Sequence, residues 1–194
     1  MTDILSHYSQ QIHEFQVLFC DLHDPLLSQS QTISAPALRT NIDILLQLCR
    51  RFSLPFHFMT VPIQGKQGQL TPELSPYQTD ENTHYRFVAD PFLTPDFLPR
   101  LQTIRRNTLI IAGFSAEVGV LFTALSARQY GFRVLIPVDC MGSRSRRTEA
   151  VAIRQLELAG VEIISLATLA VFLQPDFSTE NGKFGMTQMA RIKS

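Results

Sequence analysis

Short, nearly continuous apolar runs alternate along this chain with segments whose apolar residues recur at helical spacing, and this alternation constrains the fold more than any other feature. Runs without an alternating polar face suit strands buried on both sides, and strands interleaved with helices form a parallel sheet covered on both faces. Strands are expected at residues 16–21, 55–61, 85–88, 108–113, 133–138 and 161–165. The clearest helix spans 35–51, where Leu38, Ile42, Leu45, Leu46 and Cys49 fall on one face behind a Ser34 cap and a first-turn Pro36. Further helices are expected at about 116–130, stopped by Gly131, at about 147–159, stopped by Gly160, and in a short piece starting near Thr94. The implied fold class is α/β: a three-layer α/β/α Rossmann-like sandwich around a central, mostly parallel six-stranded sheet.

With 194 residues and 45% hydrophobic content, one domain is expected over the whole chain, its core at about 15–173. The stretch 62–84, with three prolines and two glycines, reads as a long loop of the lid or binding type. The polar tail 174–194, with scattered Phe177, Phe184, Met186 and Met189, reads as flexible or as part of subunit contacts in a homo-oligomer.

Seventeen basic residues balance seventeen acidic ones, so no global field favours nucleic acid or an anionic membrane; a small-molecule ligand is the expected partner. Three widely spaced cysteines, Cys20, Cys49 and Cys140, form neither a disulfide framework nor a zinc knuckle. The first fifteen residues lack the basic start and apolar run of an export signal, and no apolar stretch is long enough to span a membrane. A cytoplasmic setting is therefore expected.

In open α/β sheets ligands bind beyond the carboxyl ends of the strands. Four features stand there: Asp21, Arg86, the turn from Gly113 to Gly119, and Asp139. Asp21 ends an apolar run, where desolvation or a cationic neighbour tunes a carboxylate for acid–base work; the alternative is a carboxylate that caps a backbone amide. The turn leads into a helix start whose amides can hold an anion or a developing oxyanion.

Taken together, these pieces resemble the isochorismatase-like cysteine hydrolases across roughly residues 15–172, with the nearest likeness to the isochorismatase domain-containing branch. Asp21-Leu22-His23 stands at the family's Asp-x-Gln, and Arg86, followed by Phe92, Phe97 and Leu101, stands at the family's lysine. Gly113-Phe114-Ser115-Ala116-Glu117-Val118-Gly119-Val120 occupies the nucleophile turn, with Gly119 where the cysteine is expected. Thr123-Ala124, Ala127, Gly131, Asp139-Cys140 and Ser143-Arg144-Ser145 continue in step.

The resemblance implies an aspartate base, an orienting lysine, a cysteine thiolate and two oxyanion-binding amides. Here two of those three side chains differ. Gly119 can form no acyl-enzyme, and Arg86 supplies charge but is locked in its protonated form. Pairing with Arg86 is expected to hold Asp21 ionised. The resemblance also implies that some family members hydrolyse isochorismate from the aspartate and lysine without a cysteine, so Gly119 does not by itself exclude hydrolysis.

Phe114, Ser115 and Val118 are then the expected oxyanion or substrate residues, with His23 and His84 within reach of the pocket. Thr60-Val61-Pro62 replaces the family's metal-binding histidine motif, so neither metal nor cofactor is expected. Cys20 is expected to point away from Asp21, and Arg144, Arg146 and Arg147 read as a solvated face. Three functions remain open: a non-covalent hydrolase using Asp21 and Arg86, an inactive pseudoenzyme that binds a ligand or partner, and a different reaction using the 62–84 loop with Cys140.

Overall fold

The computed structural model describes residues 12–194. The stretch scanned above for an export signal lies, through residue 11, outside the described residues. The chain runs β1 (Phe15–Cys20), α1 (Asp24–Leu27), α2 (Ala35–Arg51), β2 (Phe56–Thr60), β3 (Pro62–Ile63), β4 (Lys66–Gln67) and β5 (Thr83–Tyr85). It continues through α3 (Phe97–Thr103), β6 (Thr108–Phe114), α4 (Leu121–Gln129), β7 (Arg133–Pro137), β8 (Met141–Gly142), α5 (Arg146–Leu158), β9 (Glu162–Ile164), α6 (Leu166–Leu173) and α7 (Glu180–Met189).

The main sheet has the order β5-β2-β1-β6-β7-β9, and the short β8 extends the pairing of β6. Every pair in it is parallel. β1 and β6 are central and fully buried, which explains why their sequences are apolar apart from Gln16 and Thr108. Side-chain alternation divides them between two cores. Phe15, Val17, Phe19, Ile110 and Ala112 join α2 and α6 on one face, while Leu18, Cys20, Leu109 and Ile111 join the α3, α4 and α5 layer on the other. The three-layer α/β/α reading holds. Ser34 accepts from the Ala37 amide at the start of α2, as its sequence implies.

Several expectations need correction. The edge strand covers Thr83–Tyr85 rather than 85–88, so Arg86 lies just past the end of regular pairing. The segment 62–84 is not a plain loop: β3 and β4 form an antiparallel hairpin turned at Gln64 and Gly65, both with positive φ. The helix expected from 116 begins as a π-helical turn, Ala116–Val120, and only then becomes α4.

The tail is neither extended nor free. Thr179 caps α7 through the Gly182 amide. Asn41, buried on α2, donates to the Lys193 carbonyl and accepts from the Lys193 amide, while Arg51 donates to Asn181 and Arg191 pairs with Asp43. The chain's own C-terminus thus covers α2.

Candidate active site

At the end of β1, Asp21 adopts φ +56, the left-handed conformation that aspartate tolerates better than most residues. The turn places its carboxylate at the carboxyl edge of the sheet, between β2 and β6. Arg86 leaves the edge strand and reaches inward; its Nη2 donates to Asp21 Oδ2 and its Nη1 to the Val88 carbonyl. The two side chains are 3% and 6% exposed, so this ion pair is desolvated on all sides. Asp21 Oδ1 and Arg86 Nε have no hydrogen-bond partner among the described residues. An acceptor and a donor therefore stay unsatisfied inside the same buried pair.

Gly119 closes the third side. A Cβ added there would lie 2.6 Å from Asp21 Oδ2, 3.3 Å from the Phe114 carbonyl oxygen and 3.4 Å from Arg86 Nη2. The carboxylate thus occupies space that any side chain at 119 would need. Two further contacts hold the turn. Gly113 lets β6 pass close to β1, since a Cβ there would come within 2.1 Å of the Cys20 carbonyl oxygen. Thr123, four residues after Gly119, donates its hydroxyl to the Gly119 carbonyl.

Burial pushes the Asp21 carboxyl up to about 7, against the opposing pull of Arg86. The expectation that pairing alone would keep it ionised is corrected: desolvation outweighs the guanidinium. Asp21 can therefore hold or release a proton near neutrality, which an ordinary surface aspartate cannot.

The other expected site residues are dispersed. Phe114 is 1% exposed and packs into the α2 core, so only its carbonyl faces the site. Ser115 uses its carbonyl to receive the Val118 and Val120 amides in the π turn. Val118 is exposed beside Gly119.

His23 is buried, with Nδ1 bonded to the Gln69 carbonyl at 2.8 Å and Nε2 accepting from the Val61 amide at 3.3 Å. It thereby ties together both ends of the β3–β4 hairpin, and burial lowers its proton affinity. Gly68 leaves room for its ring, since a Cβ there would approach within 2.7 Å. A cavity of about 820 Å³ is bounded by His23, Lys66, Gln67 and Gln69, but Asp21 and Arg86 do not line it. His84 is corrected outright: its Nε2 lies 3.0 Å from His57 Nδ1 and its ring packs edge-on to Phe97. It faces the α3 layer because strand alternation turns it there.

Asp139 accepts from the Leu166 amide and caps α6. Cys20, Cys49 and Cys140 are free and buried. Cys20 sits in the core beneath α3, α4 and α5, with its Sγ 3.9 Å from Thr123 Oγ1 behind the Gly119 turn. Burial pushes its thiol up to about 12. Among the described residues, no three His, Cys, Asp or Glu side chains group to hold a metal ion. The role of Thr123 was missed; its signal is a hydroxyl four residues beyond the turn glycine. The Val88 carbonyl carries no side-chain signal at all.

The isochorismatase domain profile matches residues 15–168. The probable hydrolase YcaC of Escherichia coli K12 is 30% identical over 169 residues, covering 84% of this chain and 79% of that protein. Isochorismatase domain-containing protein 2 of Rattus norvegicus is 25% identical over 166 residues, covering 84% and 75%. The structure of YcaC from Pseudomonas aeruginosa, solved with hexane-2,5-diol and covalent acrylamide, superposes with TM-score 0.86 at 26% identity over 93% of this chain and 90% of that one. Escherichia coli YcaC, described as an octameric hydrolase of unknown specificity, gives TM-score 0.85 at 28% identity over 93% and 89%. The parallel sheet, the site at its carboxyl edge and these likenesses together make the chain a member of the isochorismatase family.

Proposed function

We propose that this protein is a non-covalent hydrolase of a small molecule, in which Asp21 exchanges a proton with an attacking water and Arg86 holds the reacting group. The observation that carries this reading is the 2.6 Å approach of a Gly119 Cβ to Asp21 Oδ2. A carboxylate, not a thiol, fills the centre of the site. Its unpartnered Oδ1 is the proton acceptor, and the unpartnered Arg86 Nε is a donor for an oxygen that gains negative charge. A carboxyl pushed up to about 7 supports both halves of the exchange: it takes a proton from water and returns it to the leaving group. Phe114 and Ser115 serve through backbone atoms of the turn. The relatives named as hydrolases support the reaction class.

The test is a turnover screen against carboxamides, nicotinamide and isochorismate. Turnover by the native chain that disappears in Asp21→Asn and survives thiol alkylation is expected. Unchanged turnover in Asp21→Asn rules the mechanism out.

The second reading, a pseudoenzyme that binds a ligand or partner, is favoured by the burial of the pair and by the large cavity stopping at His23. Absence of turnover in the native chain together with gain of turnover in a Gly119→Cys, Arg86→Lys double variant selects it. The third reading is disfavoured, because Cys140 is fully buried and its thiol is pushed well up by burial.

We also propose that the chain works as one domain and as a homo-oligomer in a reducing compartment. Support comes from octameric YcaC, from exposed Val118, Phe122, Val151 and Leu158 on the α4–α5 layer, and from three unpaired cysteines. No helix among the described residues is long and apolar enough to cross a membrane. A monomer mass by light scattering at micromolar concentration contradicts the assembly.

A further inference from the structure

The residues that close over Asp21 form a π-helical turn, Ala116–Val120, an uncommon geometry found mostly as single turns near functional sites. Two of its amides, Val118 and Val120, share one acceptor, the Ser115 carbonyl, at 3.2 and 3.1 Å. Thr123 holds the turn from the helix side through the Gly119 carbonyl. On the other side the turn is held by a side chain of its own, Glu117.

Glu117 Oε2 accepts from the Ser143 hydroxyl at 2.8 Å, and Oε1 accepts from the Thr148 hydroxyl at 3.3 Å. Hydrogen bonds to a carboxylate are stronger than those between neutral groups. The anchor they reach is itself fixed. Ser143 is fully buried, its amide donates to Thr32 Oγ1 at 3.0 Å, and its carbonyl accepts from the Gln31 amide at 2.8 Å. Thr148 lies in the first turn of α5, which Ser145 caps. Immediately before Ser143, Gly142 pairs with Phe114 at the end of β6. A ring therefore runs from Phe114 through the turn to Glu117, across to Ser143, and back through Gly142 to Phe114. Glu117 is the side chain that closes it.

This ring borders the Asp21 carboxylate, because the Phe114 carbonyl and Gly119 both belong to the segment packed against it. The Glu117 charge is felt on α5, where Glu149 is raised by burial first and by Glu117 after it, with Arg146 acting the other way. On Asp21 the acting charge is Arg86.

We propose that Glu117 is a positioning residue: bonded to Ser143 and Thr148, it fixes the π turn so that Gly119 and the Phe114 carbonyl stay closed over Asp21 and keep water off its carboxylate. The proposal rests on the hydrolytic reading in taking Asp21 as the group that exchanges the proton. It gives the Ser143-Arg144-Ser145 segment a part in the site that no contact with Asp21 would reveal.

The experiment is a carbon-13 NMR titration of the Asp21 carboxyl in the native chain and in Glu117→Ala, Glu117→Gln and Thr148→Val. Burial holds this carboxyl at about 7 instead of 3.8, so a turn that admits water should lower the midpoint in Glu117→Ala by about one unit or more. Thr148 is exposed, so Thr148→Val keeps the fold even if Glu117→Ala does not, and its midpoint should fall in the same direction by a smaller amount. Glutamine retains the length and an acceptor oxygen, so Glu117→Gln should stay close to the native midpoint. Asn41→Ala, which loosens the chain on the opposite face of the sheet, should lower stability and leave the midpoint in place. A midpoint unmoved in both Glu117→Ala and Thr148→Val overturns the proposal. So does a fall in Glu117→Gln as large as in Glu117→Ala, which would assign the effect to charge, or an equal fall in Asn41→Ala, which would assign it to general loosening. The readout needs no turnover: an inactive native chain with the expected shifts overturns the hydrolytic reading alone, and an active chain with unmoved midpoints overturns this inference alone.

Discussion

Replacing Gly119 by alanine separates this site from an ordinary helical turn by the sign of one stability change. In a helix interior, glycine to alanine normally stabilises by about 0.5–1 kcal/mol, because alanine loses less backbone freedom on folding. At 119 the new methyl would sit 2.6 Å from Asp21 Oδ2 and 3.3 Å from the Phe114 carbonyl oxygen. Relief requires moving either the backbone or a carboxylate that is bonded to Arg86 in a desolvated site. Overpacking of this kind costs about 1–3 kcal/mol, so a net loss of about 1–2 kcal/mol is expected. Urea denaturation reads it as a midpoint lowered by about 0.5–1 M with the slope unchanged, for a slope near 2 kcal/mol per molar. In an Asp21→Ala background the offending oxygen is gone, and the same alanine should become neutral or stabilising. Coupling between the two positions should then reach about 1–2 kcal/mol. A Gly119→Ala chain at least as stable as the native one, or an equal cost in both backgrounds, refutes the packing argument.

Asp21 also sets a pH dependence. Its carboxyl titrates near 3.8 in an unfolded chain and about 7 in the folded one, so between those values the native state holds the proton that the unfolded state releases. Its contribution is fully present below about 3.8 and is lost as pH rises toward 7; urea midpoints should show this downward slope, and Asp21→Asn should remove it. Asn41→Ala breaks two bonds to Lys193 and one to the Asp139 carbonyl, costing about 2–3 kcal/mol, and hydrogen exchange should report the loosening first in α7. All three cysteines are buried, so iodoacetamide should leave the native chain unlabelled while the urea-unfolded chain takes up three adducts by intact mass.

The fold was legible wherever burial is symmetric. β1 and β6 are covered on both faces, and their sequences carry nothing but the signature of that burial, apart from Thr108 and from Gln16, which bonds the Leu101 and Arg106 carbonyls. The edge strand was misplaced toward 85–88 because Tyr85, Phe87 and Val88 look strand-like. The chain breaks off pairing at Tyr85 so that Arg86 can reach inward, and that is a tertiary demand. The two-residue strands β3, β4 and β8 are too short for any period to register. Docking of the tail depends on Asn41 meeting Lys193 across 152 positions, which no local pattern records.

Much of the site followed the same division. Asp21 and the Gly113–Gly119 turn could be placed at the site because each ends a strand, whereas Arg86 and Gly119 were aligned to it by the resemblance to the family's lysine and nucleophile positions. The balance between burial and the Arg86 charge on Asp21 depends on how completely water is excluded, and only packing sets that. His84 was drawn to the site by its nearness to Arg86 in sequence, whereas its ring is claimed by His57 and Phe97.

The most direct test of the proton-exchange site is a carbon-13 NMR titration of the Asp21 carboxyl in the native chain and in Arg86→Gln. A midpoint near 7 in the native chain, moving higher once the guanidinium is removed, is the predicted result. A native midpoint at or below the ordinary value of 3.8 contradicts the account, because such a carboxylate holds no proton to return at neutral pH.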